Sequence, residues 1–265
     1  MSNLEIKKDS ACLSVVIPVF NEEQTLAKVV EKLLKIPNLL EIIIVDDCST
    51  DGTANVAQNL AEENEIIKYV RQPRNQGKTK ALKTGFALTT GAIVIVQDAD
   101  LEYDPADIAE VVAPILKGYA DVVYGSRFMV KRAARVLYFY HYLANKGLTF
   151  ISNLLTNLNM TDIETCYKAF RGDIIRNLII TSSGFGFEIE VTAKVAKLNC
   201  AFYEVPISYY GRTYEEGKKI TYRDGIAAFY YILKFNLFYD RQNSFTSLPQ
   251  IPKIRPVALT SERYE

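Results

Sequence analysis

Short apolar runs alternate with amphipathic segments along the first half of the chain. Each run is rich in Val and Ile and is followed by apolar residues at helical spacing; the runs occupy residues 12–20, 40–47, 65–72 and 92–97. Stretches such as EIIIV and AIVIV are continuously apolar, as expected for parallel strands that helices cover on both faces. The pattern therefore predicts a βαβαβαβ order and a mainly parallel, doubly wound α/β sheet.

Helices are predicted between these runs, and a fifth strand follows at residues 120–128. Asn21 comes directly after the first run and is predicted to cap the first helix, while Asp51 is a candidate cap for the second. The predicted helices cover residues 22–36, 51–64, 78–90 and 106–117.

The second half of the chain has a different texture. From residue 133 to 239 it is helical and rich in Tyr and Phe, and neither a Pro/Gly/Ser linker nor an internal repeat separates it from the first half. We therefore expect one domain over residues 1–242, with a helical, aromatic-rich C-terminal elaboration on the sheet. Residues 243–265 carry scattered prolines without periodicity, which predicts an irregular tail.

Composition narrows the class of protein. The 265 residues include 31 basic and 31 acidic side chains, a formal net charge of zero, and 49% hydrophobic residues, as in an ordinary globular protein. A neutral chain is poorly suited to neutralising nucleic-acid phosphates, so we expect no nucleic-acid partner. The four cysteines are far apart and form no CxxC pair, which argues against a zinc site and for reduced thiols in a cytoplasmic protein.

Targeting and membrane signals are weak. The N-terminus lacks the apolar stretch of a signal peptide. The longest apolar segment, residues 226–239, contains Lys234 and is shorter than the roughly 20 residues that a spanning helix needs. We therefore expect a cytoplasmic protein without a transmembrane helix.

Acidic clusters follow three of the predicted strands, as PVFNEE, VDDCSTDGT and QDADLE. Carboxyl ends of parallel strands share one edge of a sheet, where ligands bind. Carboxylates that converge there repel each other unless a cation or a donor-rich ligand lies among them. Asp98 and Asp100, in a D-x-D arrangement after a buried strand, suit oxygen coordination of Mg²⁺ or Mn²⁺.

Five motifs in order carry a family resemblance: VVIPVFNEE, IIIVDDCSTDGT, NQGKTKALKTGF, GAIVIVQDADLEYDP and VVYGSRF. Over residues 13–128 they resemble family-2 inverting glycosyltransferases of the nucleotide-diphospho-sugar transferase (GT-A) fold. Further along, TDIETCYKAFR, GFGFEIEVTAKVAK and EVPISYYGRTYEEGKK resemble the branch of dolichyl-phosphate mannose synthases and bacterial polyprenyl-phosphate glycosyltransferases.

The resemblance implies a reaction and two halves of the domain. Residues 13–128 would bind a nucleotide sugar of the GDP-mannose or UDP-glucose type, and residues 129–242 would bind a polyprenyl or dolichyl phosphate acceptor. With Mg²⁺ or Mn²⁺ as cofactor, a hexose would be transferred with inversion.

The resemblance also implies roles for individual residues. Contacts with the nucleotide are expected from Pro18, Val19, Asn21, Glu22, Asp47, Lys78 and Asp98. The metal ligands would be Asp98, Asp100 and Glu102, with Asp100 the firmest of them. The acceptor phosphate and the leaving diphosphate would be held by Arg127, Arg212 and Lys218, and Asp162 would orient groups at the acceptor.

Two alternative functions remain open on the sequence alone. A phosphate acceptor with a second pKa of about 6 is already mostly dianionic and needs cations, whereas a hydroxyl acceptor needs a carboxylate base. Asp162 or Glu164 would be that base if the acceptor were a glycan hydroxyl. The other alternative is a non-catalytic, nucleotide-binding scaffold of the same fold.

Two features qualify the branch assignment. Dolichyl-phosphate mannose synthases carry Ser-Gly or Gly-Ser where this chain has Glu164 and Thr165, which weakens a mannose donor more than a lipid-phosphate acceptor. The aromatic segments at 135–147 and 222–242 fit either peripheral contact with a membrane interface or core packing.

Overall fold

The computed structural model describes residues 11–129, 135, 138–184, 186–212, 215, 222–253 and 255. Within them one seven-stranded sheet has the order β3-β2-β1-β4-β6-β5-β7. Its strands are β1 (Leu13–Val19), β2 (Leu39–Asp46), β3 (Ile67–Arg71), β4 (Ile93–Val96), β5 (Val122–Ser126), β6 (Lys168–Arg171) and β7 (Phe202–Pro206).

Helices follow most of the strands. They are α1 (Leu26–Leu33), α2 (Thr53–Glu63), α3 (Lys78–Leu88), α4 (Ile108–Leu116), α5 (Phe139–Thr156), α6 (Gly172–Asn177), α7 (Phe187–Ala196) and α8 (Tyr222–Leu237), with a 3-10 turn at Pro105–Asp107. The predicted α/β class and the order of the first five strands and four helices are confirmed.

The centre of the sheet is the apolar core that the sequence pattern predicts. β1 pairs in parallel with β2 on one side and β4 on the other, and Val15 lies opposite Ile42 and Ile95. All three side chains are fully buried. Continuous Val and Ile runs therefore form these strands because both faces of the sheet are covered.

β6 is the exception to parallel pairing. It lies between β4 and β5 and is antiparallel to both, with Phe170 opposite Val94 and Val122. β7 then pairs with β5 in parallel and forms the edge. The antiparallel insertion brings the segment that precedes β6, residues 161–167, beside the ends of β4 and β5.

The predicted cap at Asn21 is wrong, because α1 begins only at Leu26. Asn21 has a left-handed backbone, with φ of 56°, and its side-chain oxygen accepts the N–H of Thr50 at 2.8 Å. The polar side chain thus joins two strand-end loops rather than a helix end. Asp51 does accept the N–H of Thr53, the first residue of α2, at 3.0 Å.

α5 and α8 pack against each other and expose large apolar side chains. On α5 these include Phe139, Leu143, Phe150 and Leu154, whose spacing places them on one face. On α8 they include Ile226, Phe229, Tyr230 and Leu237. Across the described residues, none of the helices has the length and apolar character required to cross a membrane.

The segment after α8 has no helix or regular strand in residues 238–253, yet it contacts the sheet domain. Phe245 forms an isolated antiparallel bridge with Leu178 and is 4% exposed. Arg255 forms an ion pair with Asp121, which also pairs with Arg171.

A buried ion pair anchors α7. Glu190 and Lys194 are fully buried, and the Glu190 carboxylate also accepts the N–H groups of Thr181 and Ser182, each at 2.8 Å. Removal of one partner leaves a buried charge without compensation. The loop before α7 is therefore fixed by this carboxylate.

We expect Glu190→Ala to lower the free energy of unfolding by about 3–5 kcal/mol, measured by urea denaturation. The matched control is Glu31→Ala, which removes the exposed i,i+4 pair with Lys35 and should leave that free energy almost unchanged. Equal losses in the two variants would contradict a structural role for the buried pair.

Candidate active site

The loops after β1 and β2 are tied to each other by side-chain hydrogen bonds. The backbone N–H of Asn21 donates to Ser49 Oγ at 3.0 Å, and that of Glu22 donates to Thr53 Oγ1 at 2.9 Å. Val19 is buried and its carbonyl accepts the N–H of Asp47 at 2.9 Å, whereas Pro18 is partly exposed. These predicted nucleotide contacts therefore lie together at one edge of the sheet.

Asp47 fixes the turn that leads into α3. Its two carboxylate oxygens accept the N–H groups of Gln76 at 2.9 Å and Gly77 at 2.7 Å. Gly77 has φ of +85°, and a Cβ there would lie 3.3 Å from the Cα of Gly184. Glycine is required at this turn, because a side chain would be strained and would crowd the loop that lies against it.

Lys78, the first residue of α3, lies between two carboxylates. Its Nζ is 2.9 Å from Asp98 Oδ1 and 3.2 Å from Glu188 Oε1. Burial alone would lower the pKa of Lys78, but the nearby charges, that of Asp98 foremost, raise it well above its usual value. Lys78 is therefore a permanent cation at the end of β4.

Asp100 carries the least compensated negative charge of the D-x-D pair. Burial, followed by the charges of Asp98 and Glu102, raises the pKa of Asp100 to about 7. Its Oδ1 accepts the N–H of Glu102 at 3.0 Å, across Leu101 with a left-handed backbone. A cation bound there would favour the charged form of this carboxylate.

Glu102 holds the segment after β7 in place. Its Oε2 accepts the Tyr209 hydroxyl at 2.9 Å, and its Oε1 accepts the backbone N–H of Arg212 at 2.8 Å. It does not cap the turn at Pro105–Asp107; Asp104 accepts the N–H of Ala106 there. Contact between Glu102 and a metal stays a prediction.

The donor set fits a hard cation that takes further ligands from elsewhere. No group of three or more His, Cys, Asp or Glu side chains forms a self-sufficient metal site in the part of the chain that the structure describes. Mg²⁺ and Mn²⁺ commonly use one or two protein carboxylates and complete their shell with phosphate and water. Asp98 and Asp100 supply oxygen ligands of that kind.

Arg212 reaches back to the carboxylate edge. Its guanidinium donates to the carbonyl of Asp100 and lies 3.5 Å from Glu22 Oε2. Lys218, predicted to act beside it, lies outside the described residues.

Arg127 and Asp162 form a bidentate ion pair at the end of β5. Arg127 Nε and Nη2 donate to the two oxygens of Asp162 at 2.7 and 2.8 Å, and its backbone N–H adds a third bond at 3.1 Å. Burial raises the pKa of Asp162, yet the charge of Arg127 outweighs it and the net shift is downward. Asp162 is therefore a weak base held by its partner.

Tyr209 connects the two halves of the site. Its ring centre is 5.2 Å from the Arg127 guanidinium, while its hydroxyl binds Glu102. With the exception of Lys218, which lies outside the described residues, the structure thus brings the predicted nucleotide, metal and acceptor residues to one edge of the sheet.

Two functional candidates were missed at the sequence level. Glu188 is 5% exposed and pairs with Lys78, and Lys168 is fully buried and donates to the carbonyl of Ile163 at 2.8 Å. The sequence signal that could have identified them is a charged residue within an otherwise apolar stretch, as in FEIEV and CYKAF. Such a residue is expected to be buried, and a buried charge is rarely found without a partner.

Known proteins resemble this chain in sequence. The model of the family described as Glycosyl transferase family 2 matches residues 14–179. The undecaprenyl-phosphate mannosyltransferase of Micrococcus luteus is 30% identical over 77% of this chain and 85% of that protein. The dodecaprenyl-phosphate galacturonate synthase of Rhizobium johnstonii is 30% identical over 63% of this chain, which spans only 49% of that relative.

A solved structure has the same fold. Glucosyl-3-phosphoglycerate synthase from Mycobacterium tuberculosis, in complex with Mn²⁺ and UDP-glucose, superposes with a TM-score of 0.69 at 20% identity, over 89% of this chain and 83% of that one. The predicted GT-A fold is confirmed. With a family match across more than half of its residues and a relative matched over most of its length, the chain belongs to glycosyl transferase family 2 and is a glycosyltransferase.

Proposed function

We propose that the protein transfers a hexose from a nucleotide-diphosphate sugar to a polyprenyl phosphate, with inversion and with Mg²⁺ or Mn²⁺. The observation that carries the proposal is the group of three carboxylates at the end of β4, where the half-buried Asp100 is crowded by the charges of Asp98 and Glu102. Such an excess of negative charge favours a divalent cation, and a nucleoside diphosphate is a ligand that completes its coordination.

The donor half of the proposal rests on the strand-end loops. Asp98 and Asp100 would hold the cation, which when bound neutralises charge on the departing diphosphate. Asn21, Glu22 and Asp47 lie at the adjacent strand ends, where they would surround the base and ribose. The mycobacterial neighbour of the same fold binds Mn²⁺ and UDP-glucose, which supports a donor of this chemical class.

The acceptor half of the proposal rests on the ion pair between Asp162 and Arg127. A carboxylate that is bound by Nε and Nη2 of Arg127 and has a lowered pKa is poorly suited to remove a proton from a hydroxyl group. A phosphate needs no such base: its oxygen attacks the anomeric carbon, and the bond electrons leave with the nucleoside diphosphate. The names of the Micrococcus and Rhizobium relatives specify polyprenyl-phosphate acceptors, which supports this choice.

A second candidate keeps the fold and changes the acceptor to a glycan hydroxyl. Burial and the charge of Glu188 raise the pKa of Glu164 to about 7, and its Oε1 is buried without a hydrogen-bond partner in the described part of the chain. Glu164, rather than Asp162, would be the base in that reaction.

Peripheral contact with a membrane fits a lipid acceptor. The exposed apolar faces of α5 and α8 lie on helices that pack together, and Phe150 and Leu154 are 69% and 72% exposed. Exposed apolar surface on paired helices is typical of attachment to a lipid interface.

The direct test incubates the enzyme with Mn²⁺, a labelled GDP- or UDP-hexose and a short polyprenyl phosphate. We expect a lipid-linked sugar that mild acid releases. Transfer only to a glycan hydroxyl would favour the second candidate, and no transfer with any donor would contradict the proposal.

Asp100→Asn should reduce transfer at least about 100-fold while the protein stays folded, because a neutral side chain is a poor metal ligand. Steady-state kinetics and thermal unfolding measure the two properties, with the exposed Glu31→Gln as control. If the protein were a non-catalytic scaffold, the unaltered protein would show no transfer, and Asp100→Asn would leave cellular function intact.

Mn²⁺ affinity should depend on pH. With a pKa of about 7, Asp100 is protonated below neutral pH and must lose that proton to bind a cation. We expect Mn²⁺ affinity in the presence of a nucleoside diphosphate to fall about tenfold for each pH unit below 7 and to level off above 8. Titration calorimetry between about pH 5.5 and 8.5 measures this affinity. Asp100→Asn should lose the dependence of Mn²⁺ affinity on pH. An affinity that does not change with pH in the unaltered protein would contradict the prediction.

Binding to vesicles that contain phosphatidylglycerol should weaken at least about tenfold in Phe150→Glu and in Leu154→Glu, since each variant loses one exposed apolar side chain that would insert into the lipid interface. Sedimentation with vesicles gives the bound fraction. Leu34→Glu, an exposed leucine at the end of α1, should bind like the unaltered protein. Equal binding by all four proteins would show that α5 does not contact lipid.

A further inference from the structure

Two buried carboxylate oxygens have no hydrogen-bond partner among the residues that the structure describes. They are Glu188 Oε2, on the first turn of α7, and Glu164 Oε1, in the loop before β6. Glu188 is 5% exposed, so bulk water has little access to it. A buried acceptor left unpaired costs free energy, which a ligand with hydrogen-bond donors would recover.

The charge of Glu188 acts on Glu164. Burial, followed by that charge, raises the pKa of Glu164 to about 7. The other Glu188 oxygen is 3.2 Å from Lys78 Nζ, which in turn is 2.9 Å from Asp98. The pair is therefore linked through one ammonium group to the end of β4, where the donor diphosphate is proposed to bind.

The cations that the structure describes nearby do not satisfy the two oxygens. Lys168 donates to the carbonyls of Ile163 and Thr165, and Arg127 is occupied by Asp162. Lys78 binds the opposite oxygen of Glu188. Glu164 and Glu188 thus offer two acceptor oxygens and negative charge to a ligand that carries hydrogen-bond donors.

We propose that Glu164 and Glu188 form the subsite for the donor sugar, accept hydrogen bonds from its hydroxyl groups, and exclude sugars that carry a carboxylate. The inference rests on the proposed function, because a sugar joined to a diphosphate at Asp98 and Asp100 would lie close to Glu188, which shares Lys78 with Asp98. Sugar hydroxyl groups would donate hydrogen bonds to both unpaired carboxylate oxygens. A uronate would bring a third negative charge into the same buried space.

The test uses the full-length enzyme, Mn²⁺, the hexose donor that supports transfer, its four monodeoxy analogues and its uronate analogue. In the unaltered enzyme we expect at least one deoxy donor to lose about 10- to 100-fold in kcat/KM, as for a lost hydrogen bond to a charged group. That penalty should vanish in Glu164→Ala or Glu188→Ala, because the hydroxyl no longer has its acceptor.

Charge selection is measured in the same assay. The uronate donor should be used at least about 100-fold less well than the hexose donor, and Glu164→Gln should narrow that ratio about tenfold. Glu63→Gln, on the exposed end of α2, is the control that leaves the ratio unchanged. Thermal unfolding and binding of the nucleoside diphosphate with Mn²⁺ establish that each variant is folded and retains the donor half of the site.

The outcomes separate this inference from the proposed function. Transfer with deoxy penalties that persist unchanged in both alanine variants, and with equal use of hexose and uronate, overturns the sugar subsite alone. No binding or transfer with any donor overturns the proposed function and the subsite together.

Discussion

Carboxylates crowd one edge of the sheet, and the repulsion among them is the constraint on which the site depends. Asp98, Asp100 and Glu102 follow β4 directly and are half-buried, so water screens their charges less than it would on an open surface. Asp98 is compensated by Lys78, and Glu102 by Tyr209 and the backbone of Arg212. Asp100 keeps a pKa raised to about 7, so the arrangement favours an added cation.

The fold supplies each compensating group from a different element. Lys78 begins α3 after a turn that Asp47 and Gly77 fix, and Arg212 arrives on the segment that Glu102 holds. Arg127 ends the β5 region and is bound to Asp162. Removal of any one of these contacts would leave a charged side chain in the site without its partner, which costs free energy.

Sequence reasoning was most successful where the signal is local. The strand at Leu13–Val19 is visible as a continuous apolar run, and the D-x-D carboxylates at its neighbour's end point to a cation. The cap at Asn21 was wrong because an Asn side chain can bond to a second loop as readily as to its own helix.

Glu188 was missed because its partner, Lys78, lies on a helix distant in sequence. β6 and β7 were missed as well, since both are short and contain charged residues, Lys168 and Glu204 among them, and therefore do not resemble buried strands. Glu102 illustrates the same limit: adjacency to Asp100 suggests a ligand, and only the folded chain reveals its bonds to Tyr209 and Arg212.

The central claim is that Asp98 and Asp100 hold a divalent cation that a nucleoside diphosphate also coordinates. Anomalous diffraction at the manganese edge, from crystals grown with Mn²⁺ and UDP or GDP, tests it most directly. The account predicts one strong peak within about 2.3 Å of an Asp100 oxygen and in contact with the diphosphate. A diphosphate bound at the strand ends without a peak, or a peak remote from both aspartates, would contradict it.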